Sequence, residues 1–330
     1  MGNRIVNYPG GLASFGIPLY GSLPMIKGTW FFIDPLKGSD TGYNGKSIKT
    51  PFATLKKAYD ACTSWYGDGI CFLEAGSSTS TTSNQLTAVL DWTKYGITVV
   101  GVAAPTGIFT RARIINATAV LNLAYLIDVQ GSNNRFYNIN LTNEGTAAAA
   151  LGCLIVSGAR NYFNNCYISG GNDATGPGDE TGCNSLDLRT SECTFDDCTF
   201  GNNSTVHAAA NAPIFFTTTQ QGQNLFRGCR VYQKSSTSGA GGIKIVGATT
   251  MNGWTTFTNC TFQAFGAAGG ASPGLTKVVI GDAQNDCGVH LHNCGEVGWL
   301  AWSVLASKVY VSCAGETAAG AGGIGSAPAA

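Results

Sequence analysis

The sequence predicts an all-β protein: a single right-handed parallel β-helix, or solenoid of stacked coils, with a short N-terminal cap helix. Two repeated patterns and the composition predict this fold. A six-residue motif returns every 27 to 34 residues, and an apolar segment precedes each copy. Glycine supplies 45 of 330 residues and charged residues only 12%, which suits short strands joined by tight turns. The hydrophobic share of 44% can fill a core and excludes a disordered chain.

The motif, here called the hexad, reads hydrophobic-x-x-Cys-x-hydrophobic. An early copy at 136–141 has Ile139 in place of cysteine. The cysteine-containing copies are 163–168, 195–200, 226–231, 257–262 and, in weaker form, 291–294. Their fourth positions, counted from Ile139, are 27, 32, 31, 31 and 34 residues apart. A motif that returns at such a period is typical of a solenoid.

A second apolar segment begins 12 to 17 residues before the fourth position of each hexad. These segments are 126–129, 154–156, 186–188, 214–216, 243–246 and 278–280. Each coil therefore contains at least two strands. Two short strands cannot bury their own apolar face, so we expect neighbouring coils to stack and bury it together.

The hexad cysteines are interpreted as a core ladder of buried free thiols. They are Cys166, Cys198, Cys229, Cys260 and Cys294. Strict alternation cannot point the first, fourth and sixth hexad residues all inward, so we predict a bend at the third residue, which is Asn, Asp or Gly. Stacked strands are about 4.8 Å apart, wider than the roughly 3.8 Å between Cβ atoms that a disulfide prefers.

A distinctive segment lies near the N-terminus. Residues 30–40 (WFFIDPLKGSD) lead through a glycine-rich turn into residues 50–58 (TPFATLKKA). This order of an aromatic strand, Asp-x-x-x-Gly-x-Asp and Pro-Phe-x-Thr-Leu resembles the opening of the pectate-lyase-like right-handed parallel β-helix superfamily. The resemblance implies the fold. It does not select a function, because lyases, hydrolases, phage tailspikes and non-enzymatic virion proteins share this architecture.

The predicted organisation has four segments. A helix is expected within 51–62, where the apolar residues have i, i+3, i+4, i+7 spacing and can cover the open first coil. The segments are an extended N-terminal arm (1–28), a first strand with the cap helix (29–64), the β-helix (65–313) and a Gly/Ala-rich C-terminal tail (314–330).

The charge balance argues against two classes of partner. Lys plus Arg equals Asp plus Glu at 19 each, so no net field attracts nucleic acid or an anionic membrane. We expect neither partner. The N-terminus has no apolar signal region, and no apolar stretch is long enough for a membrane span, so we expect synthesis in a cytoplasm.

Carboxylates are the candidates for chemistry, because β-helix enzymes that act on polysaccharides need paired or clustered acids. Asp196 and Asp197 form the most obvious pair, although a turn role suffices to explain their hexad positions. Asp173, Asp179 and Glu180 lie in a long acidic loop that could bind Ca²⁺, but the loop lacks the alternation of an EF-hand loop and is interpreted as a solvated insertion. We expect no cofactor.

A pair of histidines and three tryptophans are two further groups of candidate binding residues. His290 and His292 alternate along one strand face, and we interpret them as surface residues rather than metal ligands. Exposed tryptophans would be the contact residues if the protein bound a glycan; the candidates are Trp254, Trp299 and Trp302.

The resemblance leads to three functional hypotheses. The first is a non-enzymatic structural component of a bacteriophage virion: a homotrimeric capsid decoration or head-spike protein, anchored to a capsid or other virion protein by its arm. The arm's apolar residues would make that contact: Tyr8, Leu12, Phe15, Ile17, Leu19 and Tyr20. The alternatives are a tailspike-like polysaccharide lyase or glycosidase, and a non-catalytic spike that binds a surface glycan or receptor.

Overall fold

The structure, a computed structural model, describes residues 26–73, 84–107, 112–217, 222–246, 253–266, 275–281, 288–303 and 309–312. It also gives the backbone of residues 7–8, 11–14 and 17–18. Side chains at 7–18, 84, 275–276 and 303 lie outside the description.

Each hexad folds as the end of one strand, a bend and the start of the next strand. In the copy at 163–168, the strand Tyr162–Asn164 ends before Asn165, and the strand Tyr167–Ser169 begins after Cys166. Asn165 has a φ of 49°, and the third residue of all six hexads has a φ between 49° and 62°. The left-handed conformation resets the in-out alternation, so the predicted bend is confirmed.

Three parallel sheets enclose the core, and a full coil supplies one strand to each sheet in turn. Sheet 1 contains Leu90–Trp92, Ile127–Val129, Leu154–Val156, Leu186–Leu188, Ile214–Phe216, Ile243–Ile245, Leu275–Gly281 and Trp299–Ser303. Sheet 2 contains Trp30–Ile33, Gly69–Phe72, Thr98–Gly101, Arg135–Tyr137, Tyr162–Asn164, Thr194–Asp196, Leu225–Arg227, Trp254–Thr258, Gly288–His292 and Val309–Ser312. Sheet 3 contains Asn84–Leu86, Arg113–Asn116, Asn140–Thr142, Tyr167–Ser169, Thr199–Gly201, Arg230–Ser235, Thr261–Gly266 and Gly295–Val297.

The predicted all-β parallel β-helix with a short N-terminal helix is confirmed. Its core is built from columns of like residues, because each strand pairs in register with its counterpart one coil away. Along sheet 2, neighbouring phenylalanine rings are 4.3 to 4.8 Å apart and within 9° of parallel. This column consists of Phe136, Phe163, Phe195, Phe226 and Phe257.

The hexad cysteines form a second buried column beside the phenylalanines. All five are free thiols. Four of them donate to the carbonyl of the first hexad residue in the preceding coil; Cys229 Sγ, for example, lies 3.3 Å from Phe195 O. Burial raises the pKa of Cys198 well above its ordinary value. The column therefore packs as small side chains with a weak hydrogen bond between coils.

The N-terminal motif forms the cap. The helix Leu55–Ala61 begins after Thr54, whose hydroxyl accepts a hydrogen bond from Lys57 N at 3.2 Å. Asp40 accepts from Thr54 Oγ1 at 2.6 Å and from Ala53 N at 2.8 Å, which fixes the loop before the helix. The helix buries Leu55, Ala58 and Tyr59. The acids in this segment thus hold the cap together.

The arm contains short strands of its own. Asn7–Tyr8, Gly11–Ser14 and Ile17–Pro18 pair as an antiparallel sheet that is separate from the three sheets of the coils. The predicted contact residues Phe15, Leu19 and Tyr20 lie outside the described residues, as does the whole tail, residues 314–330. Within the described part of the chain, no helix has the length and apolar character of a membrane span.

The cysteine column gives a first prediction. Replacing Cys229 by Ala should lower the free energy of unfolding by about 1 kcal/mol, because the small cavity is only partly closed by relaxation. Replacing it by Asp should cost several times more, because an unpaired charge would enter the stack. Chemical denaturation measures both, with Thr256→Ala on the outer face as the control. Equal effects of the two Cys229 variants would contradict a buried column.

A buried acid at the C-terminal end gives a second prediction. Glu296 pairs in register with Phe262 in the inward column of sheet 3, and its Oε2 accepts from Trp299 N at 3.1 Å. Burial raises the pKa of Glu296, so the folded state favours the neutral acid. Its contribution to stability is therefore present below the ordinary pKa of glutamate and is lost as the pH rises through the raised value.

We therefore expect Glu296→Gln to raise the thermal midpoint at pH 7, and the gain to shrink as the buffer is acidified to pH 4. The exposed Glu180→Gln serves as the control and should change little at either pH. A Glu296→Gln variant that is less stable than the parent at pH 7 would show that the carboxylate is stabilised in its charged form.

Candidate functional site

Asp196 lies at the centre of a hydrogen-bonded cluster on the outer face of sheet 2. It is the second residue of its hexad, so its side chain points outward while Phe195 points into the core. Its two oxygens take a bidentate ion pair from Arg227 in the next coil, at 2.6 Å each. Oδ2 also accepts from the Tyr162 hydroxyl at 2.7 Å. The carboxylate thus joins three successive coils.

The electrostatics of this cluster favour the ion pair. The hydrogen bonds that Arg227 donates to the Asp196 carboxylate raise the pKa of Arg227. Burial, reinforced by the neighbouring Asp196 carboxylate, raises the pKa of Tyr162, so the phenol stays protonated and donates. The Asp196 side chain is 12% exposed and that of Arg227 is 54% exposed. The acid is therefore shielded while its partner remains in contact with solvent.

The neighbouring Asp197 has a different role. It is the third residue of the hexad, with a φ of 52°, and its carboxylate lies against Gly228 at the equivalent turn of the next coil. The structure therefore places one acid of the predicted pair in a strand and the other in a turn.

The acidic loop folds back on itself. Asp173 Oδ1 accepts from Thr175 N at 3.0 Å and from Gly176 N at 2.9 Å, which closes a tight turn. Asp179 ends the 3-10 turn Pro177–Asp179, and Glu180 is exposed. Among the residues that the structure describes, no three His, Cys, Asp or Glu side chains are grouped as metal ligands.

A second polar cluster lies on the outer face of sheet 1, and its residues were not predicted from the sequence. Asp187 is 1% exposed and accepts from Arg189 Nη2 at 2.6 Å and from Thr217 Oγ1 at 2.6 Å. Asp128, two strands earlier in the same row, accepts from Ser157 Oγ and from the side chain of Gln130, at 3.0 Å each.

Arg189 pairs with Asp187 and lies within electrostatic reach of Asp128. Burial alone would lower the pKa of Arg189, but the hydrogen bonds and charge of Asp187 raise it, with contributions from Tyr125 and Asp128. A signal was present in the sequence: an aspartate stands between two apolar residues in Leu90–Trp92, Ile127–Val129 and Leu186–Leu188. Such a charge in the middle of a short apolar strand must face outward and must find a partner.

The solvent-exposed part of this cluster is a cation. Strands two positions apart are separated by about 10 Å, so Asp128 and Asp187 lie on either side of Ile155, which is 7% exposed. Arg189 has 36% of its side chain exposed, whereas the side chain of Asp187 is 2% exposed. The cluster can therefore offer its guanidinium to an anionic group, while Asp187 is shielded from a ligand.

The tryptophans divide into two groups. Trp254 is 48% exposed; its ring lies over Gly288, where a Cβ would leave no room, and meets Tyr310 edge-on at 4.9 Å. The expectation of exposure is wrong for Trp299 (5%) and Trp302 (0%), because both fill the core at the C-terminal end of sheet 1. Of these three candidates, Trp254 alone is accessible to a ligand.

The two histidines of one strand share a partner. His290 Nε2 and His292 Nδ1 lie 2.8 and 2.9 Å from Ser312 Oγ, on the outer face of sheet 2. A hydroxyl has one hydrogen, so one imidazole accepts from Ser312 and the other donates to it. The strand alternation that the sequence indicates is thus observed, with a serine between the rings.

The Asp196–Arg227 pair gives a third prediction. A double-mutant cycle with Asp196→Ala and Arg227→Ala should give a coupling free energy of about 1 kcal/mol, because the geometry is bidentate and one partner is shielded. The matched control is Lys56–Asp60 on the cap helix, with side chains 60% and 50% exposed. Its coupling should not exceed about 0.5 kcal/mol. Equal couplings for the two pairs would contradict a structural role for the Asp196 cluster.

Solved structures with the same architecture include two proteins that are named for pectin chemistry. Pectin methylesterase from Aspergillus niger is 15% identical, with a TM-score of 0.52 over 91% of this chain and 90% of that one. Pectate lyase Pel9A is 15% identical, with a TM-score of 0.52 over 87% of this chain and 77% of that one. No protein-family model and no curated protein matches the chain. At this identity the likeness shows the fold alone, which is a parallel β-helix.

Proposed function

We propose that the protein is a non-enzymatic structural component of a bacteriophage virion: a trimeric β-helix that decorates the capsid or forms a head spike. The observation that carries the proposal is the use of outward carboxylates to connect coils. Asp196 bonds Arg227 in the next coil, and Asp187 bonds Thr217 in the next coil. Acids whose oxygens are taken up inside the chain stiffen a rod and are not free to react.

The N-terminal arm supports the same role. Where the structure gives its backbone, at residues 7–8, 11–14 and 17–18, the arm forms a small antiparallel sheet of its own ahead of the strand Trp30–Ile33. Apolar residues in such an element suit contact with a neighbouring protein. Three β-helices can pack flank to flank about a threefold axis, and a charge content of 12% lowers the cost of that burial.

The experiment compares the full chain with a variant that lacks residues 2–28. Native mass spectrometry should find the full chain at three times its 34.2 kDa mass. Proteomics of purified particles should find the full chain and not the variant, although both have the strand-rich circular dichroism of a β-helix. A variant that still enters particles would contradict anchoring by the arm. A full chain that is monomeric and absent from every particle fraction would overturn the proposal.

A second candidate is an enzyme that acts on polysaccharides, favoured by the sheet 1 cluster of Tyr125, Asp128, Asp187 and Arg189. Asp128 is half-buried and its partners are neutral, so it is the acid best placed to react. Its spacing of about 10 Å from Asp187 lies just above the range of roughly 6.5 to 9.5 Å for inverting glycosidases.

Reducing-end and ultraviolet assays on a panel of polysaccharides, including pectin, distinguish the two candidates. Under the virion proposal, the full chain releases no product. Product release that is abolished by Asp128→Asn and kept by Asp196→Asn would establish the enzyme instead. The same panel on a glycan array, with Trp254→Ala as the variant, tests the related possibility of a non-catalytic spike that binds a surface glycan.

A further inference from the structure

A small cavity of about 10 Å³ lies where the strands of sheet 3 lead through loops into sheet 1. Its lining comes from three consecutive coils and includes Asn184, Ser185, His207 and Gln233. The volume is that of about one water-sized sphere. Two of the side chains that line it, His207 and Asn184, have a buried polar atom without a hydrogen-bond partner: His207 Nδ1 and Asn184 Oδ1.

The tautomer of His207 is fixed by the hydrogen bond of its Nε2 atom. Nε2 lies 3.0 Å from the carbonyl oxygen of Gly171. A carbonyl only accepts, so Nε2 carries the hydrogen, and Nδ1 of the neutral ring is an acceptor. The residue is 8% exposed, and burial lowers the pKa of His207, which keeps the ring neutral.

The orientation of Asn184 follows in the same way. Its Nδ2 donates to Gly182 O at 2.9 Å and to the Tyr125 hydroxyl at 3.3 Å. If the amide were flipped, its oxygen would face the Gly182 carbonyl oxygen, which cannot donate a hydrogen bond. Oδ1 is therefore the amide atom without a hydrogen-bond partner. The residue is 2% exposed. The cavity is therefore lined by two buried acceptors, which cannot satisfy each other.

We infer that this cavity is a binding site for a single water molecule that donates one hydrogen to His207 Nδ1 and the other to Asn184 Oδ1. Two buried acceptors require a ligand with two donors, and the volume admits nothing larger than water. The Ser185 hydroxyl accepts from Gly170 N at 3.1 Å, which leaves its own hydrogen to be donated to the water oxygen. The three hydrogen bonds match the usual number for a buried water.

The water completes a connection between two parts of the molecule. His207 belongs to the loop before Ile214–Phe216, and Asn184 to the loop before Leu186–Leu188. Asn184 in turn holds the hydroxyl of Tyr125, which neighbours Asp187 and Arg189. The water therefore fastens the acidic loop to the next coil and positions Tyr125. This role is independent of whether the protein is a virion component or an enzyme.

The first test is a crystal structure at better than about 1.5 Å resolution. It should show one density peak within roughly 2.6 to 3.2 Å of both His207 Nδ1 and Asn184 Oδ1. A direct contact between the two side chains, or a cavity without density, would overturn the inference. Long-range ¹⁵N NMR of the native protein should show His207 as the neutral Nε2–H tautomer; the Nδ1–H tautomer would also overturn it.

A variant of Asn184 tests whether this side chain binds the water. Asn184→Leu removes one acceptor and should abolish the density peak and release the Tyr125 hydroxyl. Loss of the peak, with the β-helix intact by circular dichroism, supports the assignment. Asn224→Leu, at a buried asparagine whose partners Thr190 O and Cys193 N lie outside the cavity, is the matched control and should keep the peak. A peak that survives in Asn184→Leu would show that the asparagine does not bind the water.

Discussion

In-register parallel pairing is the constraint on which the rest of this structure depends. Each residue lies about 4.8 Å from its counterpart one coil away, so any side chain that fits one coil must also fit the next. The left-handed residue at the third hexad position makes this possible, since it turns the chain without losing the register. Asn165, Asp197 and Gly228 occupy this position in three successive coils with almost the same φ. The phenylalanine and cysteine columns follow directly from it.

The same constraint governs the outer faces. A charge repeated at one strand position would meet a like charge in the next coil, and such pairs are unfavourable. Two positions avoid this: Asp196 is followed by Arg227, and Asp187 is neighboured by Ile155 and Phe215. Farther along the row of Asp187, Asp128 lies directly opposite Asp91 of the preceding coil. Asp196 therefore stabilises the stack through an ion pair between coils, whereas Asp91 and Asp128 form a like-charged pair. The virion proposal rests on this use of Asp196, whereas Asp128, with neutral hydrogen-bond partners, is the acid that an enzymatic role would need.

The hexad was sufficient to predict two sheets and the bend between them, because the bend is encoded in consecutive residues. The pairing of Asp196 with Arg227 was not predictable from the sequence, since only the register brings residues 31 positions apart into contact. Asp128 and Asp187 were missed because three-residue apolar strands conceal a single outward acid. Trp299 and Trp302 were misjudged because the last coil departs from the hexad pattern, and the sequence offers no other guide to which face they occupy.

The distance between two outward positions of sheet 2 tests the stacking most directly. Arg135 and Tyr310 stand in the same row, six strands apart by the chain of pairings. Spin labels on cysteines introduced at these positions should be separated by about 29 Å in pulsed electron resonance. The native thiols described in the structure are buried and should not react with the label. A distance shorter or longer by one or more strand spacings, or a broad distribution, would contradict the in-register β-helix.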